Sequence, residues 1–397
     1  MSNLFKGFLR NNVYKCNNIY NKRTFLSKIK EGNLDKFDRK FGLTSNNDDI
    51  NAYTIKNNSG MTIEFLNYGA SLRSIIVPDK DGYEVDVIIG LDNVYDYQNK
   101  NEYFGCVCGR YANRINNGTF KLNDKLYNLD CNDKNRSLHG GYNGFDKKIW
   151  KISDNNDDEQ RIGYNLELYS PENDEKYPGD LKVIVQYLLY KNENILEINY
   201  IATTNSSTIL NLTNHAYFNL DGTFNENGIC DGSHLLLIES EQYTPITSDL
   251  IPTGDIIEVQ DTPFDFTSYK DIGLEINNDD EQLKRGKGYD HNFVLKNKMD
   301  NEIKFASSLV STNTLIQMDT LTDQVGLQFY SGNFLDGTKK GKSNIYHKRS
   351  ALCLETHHFP DSPNHPNFPN TILNKGQTFK STTQYRFTIA SEHDLVY

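Results

Sequence analysis

The sequence predicts an all-β fold, one large antiparallel β-sandwich, and three observations predict it. Apolar and polar residues alternate with period two along many short stretches from residue 61 onward. β-branched and aromatic residues crowd those stretches, in a chain of 397 residues that holds 25 Tyr and 21 Phe. After residue 45 no long segment keeps the 3.6-residue apolar period of an amphipathic helix.

Taken in order, the chain starts with a segment unlike the rest. Its first 30 residues hold seven Lys or Arg and no Asp or Glu. On a helical projection Leu4, Phe5, Phe8 and Leu9 share one face, and Lys6 and Arg10 lie off it. Two readings stay open for residues 1–45: a disordered basic extension, or an amphipathic transit peptide that would take the protein to mitochondria. The first goes with a cytoplasmic location, which is the expectation here. The polar stretch 42–53, "GLTSNNDDINAY", reads as a linker, so the folded domain is expected to span 46–397.

Strands are then predicted at 61–77, 161–170, 181–190, 195–204, 233–240, 301–311, 314–322, 326–332, 351–356 and 384–390, separated by DG, NN, PG and SN turns. No GxGxxG or GxxxxGKS loop is present, so a Rossmann or P-loop nucleotide site is unsupported. The net charge of −11 disfavours nucleic acid and anionic membranes as partners. No apolar run reaches the length of a membrane-crossing helix. Six scattered cysteines without a CxxC pair read as reduced, mostly buried thiols.

Five stretches are unusually rich in polar side chains for β sequence: "GRYANRINNG" (109–118), "SLHGG" (137–141), "LTNHAYFNLDG" (212–222), "GYDHNF" (288–293) and "LETHHFPDS" (354–362). On residue patterns alone each has a plain structural reading. His215 sits where Thr213, His215 and Tyr217 alternate with Leu212, Asn214 and Ala216, a setting that suits a hydrogen-bonded core histidine. Glu355 shares a strand face with Cys353 and His357, as a solvated strand end would. His357, His358, Asp361 and His365 form no convincing metal site, because neighbours in a strand point to opposite faces and the H-x6-H remainder matches no structural zinc spacing. His365, in a Pro-flanked loop, is expected at the rim of the site.

Together these stretches resemble the aldose 1-epimerase (galactose mutarotase) family. The resemblance runs from about residue 50 to the C-terminus and includes "NYGASLRSIIVPDKDG", "DVIIGLDNVYDY", "YFGCVCGRYANRI", "YPGDL", "LIPTGDI", "TPFDF" and "GLQFYSGNFLDG", in the family's order. It implies a β-super-sandwich, an open sugar-binding cleft, and neither metal nor organic cofactor. It implies that His215 is the general acid and Glu355 the general base, and that Asn113, Arg114, His139, Asp290 and Gln328 contact the sugar. The chain departs from the family at His357, where glutamine is usual; on Glu355's face, about 7 Å along the strand, a protonated His357 would stabilise the carboxylate and a neutral one could hydrogen-bond Glu355 or the sugar.

These residue types suit that reaction. Exchanging the anomers of a cyclic aldose requires a base to take the proton of O1 and an acid to protonate O5 as the C1–O5 bond breaks. Each positioned group is worth about 10²- to 10⁴-fold. With ordinary pKa values of about 4 and 6.5, an ionised Glu and a protonated His coexist at mildly acidic pH. Arg, Asn, Asp, Gln and His match the donors and acceptors of a hydroxyl ring. The expected partner is a free monosaccharide such as galactose or glucose, bound by a monomer or a homodimer. Two rivals remain. A hexose-6-phosphate mutarotase would need a basic cluster, and the acidic chain offers none evident beyond Arg114. A non-catalytic sugar binder would have no use for an acid–base pair.

Overall fold

The computed structural model describes residues 34–99, 102–155, 157–222, 228–296 and 302–391. Three antiparallel sheets carry the fold. The largest has nine strands, in the order Lys151–Asn155, Arg161–Ser170, Leu181–Tyr190, Ile195–Thr204, Thr378–Ile389, Ile316–Thr322, Lys304–Ser311, His234–Ile238 and Lys270–Asp271. Its central strands show the predicted alternation, with Leu181, Val183, Val185 and Tyr187 buried on one face. A five-stranded sheet runs from Asp35–Leu43 to Glu84–Asp86, and a second joins Ile257–Glu258, Gln242–Thr244, Asp290–Val294, Gly326–Tyr330 and Cys353–His357. One continuous apolar core takes side chains from all three, among them Phe65, Val185, Tyr200, Phe293, Phe329 and Leu354. That is the sandwich expected, and each α-helix of the described residues is only six residues long.

Two expectations need correction. The domain does not begin at residue 46. Asp35–Leu43 pairs antiparallel with Asp49–Lys56, so the stretch read as a linker is a β-hairpin. Its outer strand is mostly exposed and therefore lacks an apolar face. The guanidinium of Arg39 in that strand donates to both carboxylate oxygens of Glu64, at 3.2 and 3.0 Å. The basic start, residues 1–33, lies outside the described residues. Second, the stretch 61–77 is two strands, Thr62–Leu66 and Leu72–Pro78, around a turn in which Gly69 (φ +64°) and Ala70 (φ +48°) are left-handed. A Cβ on Gly69 would lie 2.5 Å from the Asp146 carbonyl oxygen, so the turn needs glycine there.

The small second sheet positions the site. Its last three strands pair Asn292 with Gln328 and Gln328 with Glu355, and place Asp290 opposite Tyr330 and Tyr330 opposite Cys353. Period two puts Asp290, Asn292, Gln328, Tyr330, Cys353, Glu355 and His357 on one face, with Phe293, Leu327, Phe329 and Leu354 on the other, in the core. All five residues of Cys353–His357 are buried. Glu355 is therefore no solvated strand end. Burying so much polarity is costly unless it is partnered or used.

Candidate active site

A cleft of about 350 Å³ opens over that polar face. Asn113, Arg114, His139, His215, Asp290 and Glu355 all line it, six of the seven residues expected. At its floor Nε2 of His215 lies 3.6 Å from Oε1 of Glu355, and both side chains are almost wholly buried. His215 sits one residue beyond the two-residue strand Thr213–Asn214, not within a long alternating strand. Its backbone N–H donates to Cys106 O and its carbonyl accepts from Gly105 N, at 2.9 Å each, and these bonds aim the ring. Nδ1 of the ring lies 3.4 Å from Cys353 Sγ.

Asn113 and His139 hold each other. Both are left-handed, at φ +62° and +49°, a conformation Asn and His tolerate better than most residues. His139 N–H donates to Asn113 O at 3.0 Å, and Asn113 N–H donates to Nδ1 of His139 at 3.2 Å. Nδ1 being an acceptor, the neutral ring carries its proton on Nε2, which is then a donor into the cleft. Gly140 follows at φ +93°, where a Cβ would lie 1.9 Å from Gly109 O. Arg114 begins a short strand paired with Arg136–Leu138, and its Nη1 reaches to 3.8 Å from Asp290 Oδ2.

Gln328 is the exception. It does not line the cleft but sits behind Asp290, donating from Nε2 to Asp290 Oδ1 at 2.7 Å. His365 is not at the rim either: it packs on Phe368 and beside Asp361. Arg110, in the same stretch as Asn113, points away from the cleft, its Nη1 and Nη2 donating to the carbonyls of Ser170, Pro178 and Gly179. Cys106 and Cys108 are buried beside Ala112 with their sulfurs 3.8 Å apart, within reach of an S–H···S hydrogen bond and not disulfide-bonded.

The electrostatics differ from what ordinary pKa values suggest. Burial pulls the His215 imidazole down to about 3, with His357 and Arg114 adding to the effect. Burial pushes the Glu355 carboxyl well up, Asp290 pushes the same way, and Arg114 opposes. Burial disfavours both charged forms and so shifts the pair's proton from His215 toward Glu355 relative to what ordinary pKa values would give. The neutral pair and the ion pair differ only in where one proton sits. His357 is neutral as well: burial brings it to about 4, and Nδ1–H donates to His358 O at 2.5 Å. Its Nε2 is buried and has no protein partner. The cationic His357 is thus excluded at neutral pH, and the neutral one remains.

Nitrogen or oxygen atoms of His139, His215 and Glu355 lie within 4.8 Å of one another, a spacing that could hold a metal ion. The proton on Nε2 of His139 and the amide on its Nδ1 leave that ring no lone pair to offer, so the set does not suit a metal.

Several lining residues were not evident from the sequence. Tyr103 packs 4.5 Å from the His139 ring and 5.8 Å from that of His215, and Tyr217, Tyr330 and Phe334 complete an aromatic wall. Lys134, Arg136, Arg285 and Lys287 also line the cleft, a basic cluster beyond Arg114 that no contiguous run of the chain announces. Arg136 and Arg285 are taken up by Asp133 and Glu281.

Comparison with known proteins agrees with this geometry. The chain is 40% identical to galactose mutarotase of Bos taurus over 333 residues, covering 83% of this chain and 92% of that protein. It is 37% identical to aldose 1-epimerase of Escherichia coli over 336 residues, covering 84% and 94%. Among solved structures, galactose 1-epimerase from Lactobacillus acidophilus matches with TM-score 0.78 and 29% identity, over 90% of this chain and all of that one. An aldose epimerase homologue from C. elegans matches with TM-score 0.74, also at 29% identity, over 84% and 98%. The family model for aldose 1-epimerase matches residues 51–386. On fold, cleft and sequence together, this chain belongs to the aldose 1-epimerase family.

Proposed function

We propose that the protein is an isomerase that interconverts the α and β anomers of free aldoses such as D-galactose and D-glucose. One observation carries the reading: an acid–base pair, His215 and Glu355, 3.6 Å apart at the floor of a cleft walled by hydroxyl-binding side chains. In this reading Glu355, as the carboxylate, takes the proton of O1 while His215 gives a proton to O5, and the roles reverse on ring closure after rotation about C1–C2. The pair holds one proton throughout, so the sugar leaves with as many protons as it brought. Arg114, Asp290 and His139 fix the hydroxyls, and Gln328 orients Asp290. The 3.6 Å separation leaves the pair free to engage two different oxygens instead of each other. No step calls for a metal or an organic cofactor, and activity is expected to survive dialysis against a strong chelator.

A second reading is favoured by the basic side chains. Lys134 and Lys287 at the cleft could meet a phosphate, as a hexose-6-phosphate mutarotase requires. Polarimetry decides. Rapid approach of fresh α-D-glucose to its equilibrium rotation supports the first reading. Activity confined to glucose 6-phosphate would replace it with the second, and binding without turnover of either sugar would leave only a sugar-binding protein.

A further inference from the structure

We infer that a second cavity, separate from the cleft, is a binding site for a neutral polyhydroxylated ligand of the sugar class. It measures about 380 Å³ and shares no lining residue with the cleft. Its wall is built from His358, Asp323, Gln324, Leu373, Phe379 and Lys380. His358, Asp323 and Gln324 are each more than nine-tenths buried, so the polarity of this wall is set into the protein.

A hydrogen-bond chain fixes what the wall offers. Gln324 Nε2–H donates to Asp323 Oδ1 at 3.1 Å. Its Oε1 is therefore the acceptor for Nδ1–H of His358, at 3.0 Å. Asp323 is held in turn by Ser381 Oγ–H and Thr382 N–H. The tautomer of His358 follows: Nδ1 carries the proton and Nε2 presents a lone pair. Asn211 grips the same residue from behind, its Oδ1 accepting from His358 N–H and its Nδ2 donating to His358 O. A rigid buried imidazole with a lone pair at a cavity wall accepts a hydrogen bond from a hydroxyl.

The rest of the wall narrows the class. Burial holds His358 neutral, at about 4, so the buried imidazole itself offers an anion no charge. Lys380 and Asp323 carry opposite signs and ask for no net charge. Leu373 and half-buried Phe379 give an apolar patch beside the acceptors. Acceptors beside an apolar patch match a molecule whose edge is hydroxyl and whose face is C–H.

The test is a titration of the whole enzyme, labelled with 15N-histidine, by D-galactose. The His358 Nε2 resonance, identified by its loss in His358→Gln, is expected to move saturably with a midpoint different from that of His215. His358→Gln should leave kcat/KM within about twofold, since His358 does not line the cleft. Should that variant fail to fold, the exposed Gln377→Ala and Lys380→Ala variants carry the test: at least one should raise the His358 midpoint by about threefold or more and leave the His215 midpoint alone. A His358 resonance that stays fixed while His215 saturates overturns the proposal. So does movement with inorganic phosphate but not with galactose.

Discussion

The site is assembled from two halves that are built differently. Asp290, Gln328 and Glu355 stand on adjacent strands of one sheet, where register alone brings them together. Asn113, His139 and His215 stand on loops and strand ends, held by backbone hydrogen bonds and left-handed conformations. The sheet half is positioned by continuous ladders and by the core beneath them. The loop half depends on a few bonds, each of which matters alone. The comparison teaches where the site is fragile: a lost side chain should cost the sheet half little beyond its own contact, and should cost the loop half the placement of its neighbours too.

The largest effects are expected where the halves meet. His215→Asn and Glu355→Gln should each lower kcat by about 10²-fold or more while KM changes little. The double variant should be scarcely worse than either single one, because both serve one proton relay. Multiplicative losses in a polarimetric assay would mean that the two act separately.

His139→Ala comes next and probes the loop half. It removes the acceptor of the buried Asn113 N–H, a loss of about 1–3 kcal/mol. Since Arg114 is the next residue, kcat/KM should fall roughly ten- to a hundredfold. Gln328→Leu is the matching test of the sheet half. It removes one donor from Asp290, whose carboxyl, already raised by burial, should rise further. A fall of about tenfold in kcat/KM, carried mainly by KM, is expected. If the Gln328 variant proves the more damaging, the contrast between the halves is wrong.

The smallest effect belongs to His357→Gln. A neutral His357 contributes no charge to Glu355 above about pH 5, so the glutamine usual in the family should leave kcat/KM within about threefold and the pH profile above pH 5 unmoved. Movement of the acidic limb above that pH would show a charged His357.

The two halves also differ in how far the sequence reveals them. Alternation places Cys353, Glu355 and His357 on one face, and strands 161–170, 181–190 and 195–204 match the observed limits. Alternation cannot say which face is buried, and so Glu355 alone looks like a solvated end. For the loop half no period exists. The Asn113–His139 clamp joins residues 26 apart through one backbone bond and one bond to the His139 ring, a pairing that no local spacing announces. Only the family resemblance points to those positions, and it points to Gln328 as well, whose amide donates to Asp290. Lys134 and Lys287 come to one cleft from distant turns, so no charge run betrays them. The edge strand Asp35–Leu43 leaves no mark in the sequence, because an exposed edge strand has no apolar face to show.

The central claim is that His215 and Glu355 are one buried pair sharing one proton. Its most direct test is the pH dependence of kcat/KM for α-D-glucose, corrected for spontaneous mutarotation. The acidic limb marks entry of a second proton, which burial of His215 delays to about 3. The alkaline limb marks loss of the last proton, which burial of Glu355 defers well above the usual carboxyl range. Stability of the working form is thus lost only at the two extremes, and the apparent values belong to the pair. The account predicts a plateau with no acidic fall until far below the free imidazole value and an alkaline limb displaced upward from the usual carboxyl range. A narrow bell that falls on its alkaline side near the free imidazole value of about 6.5 would contradict it.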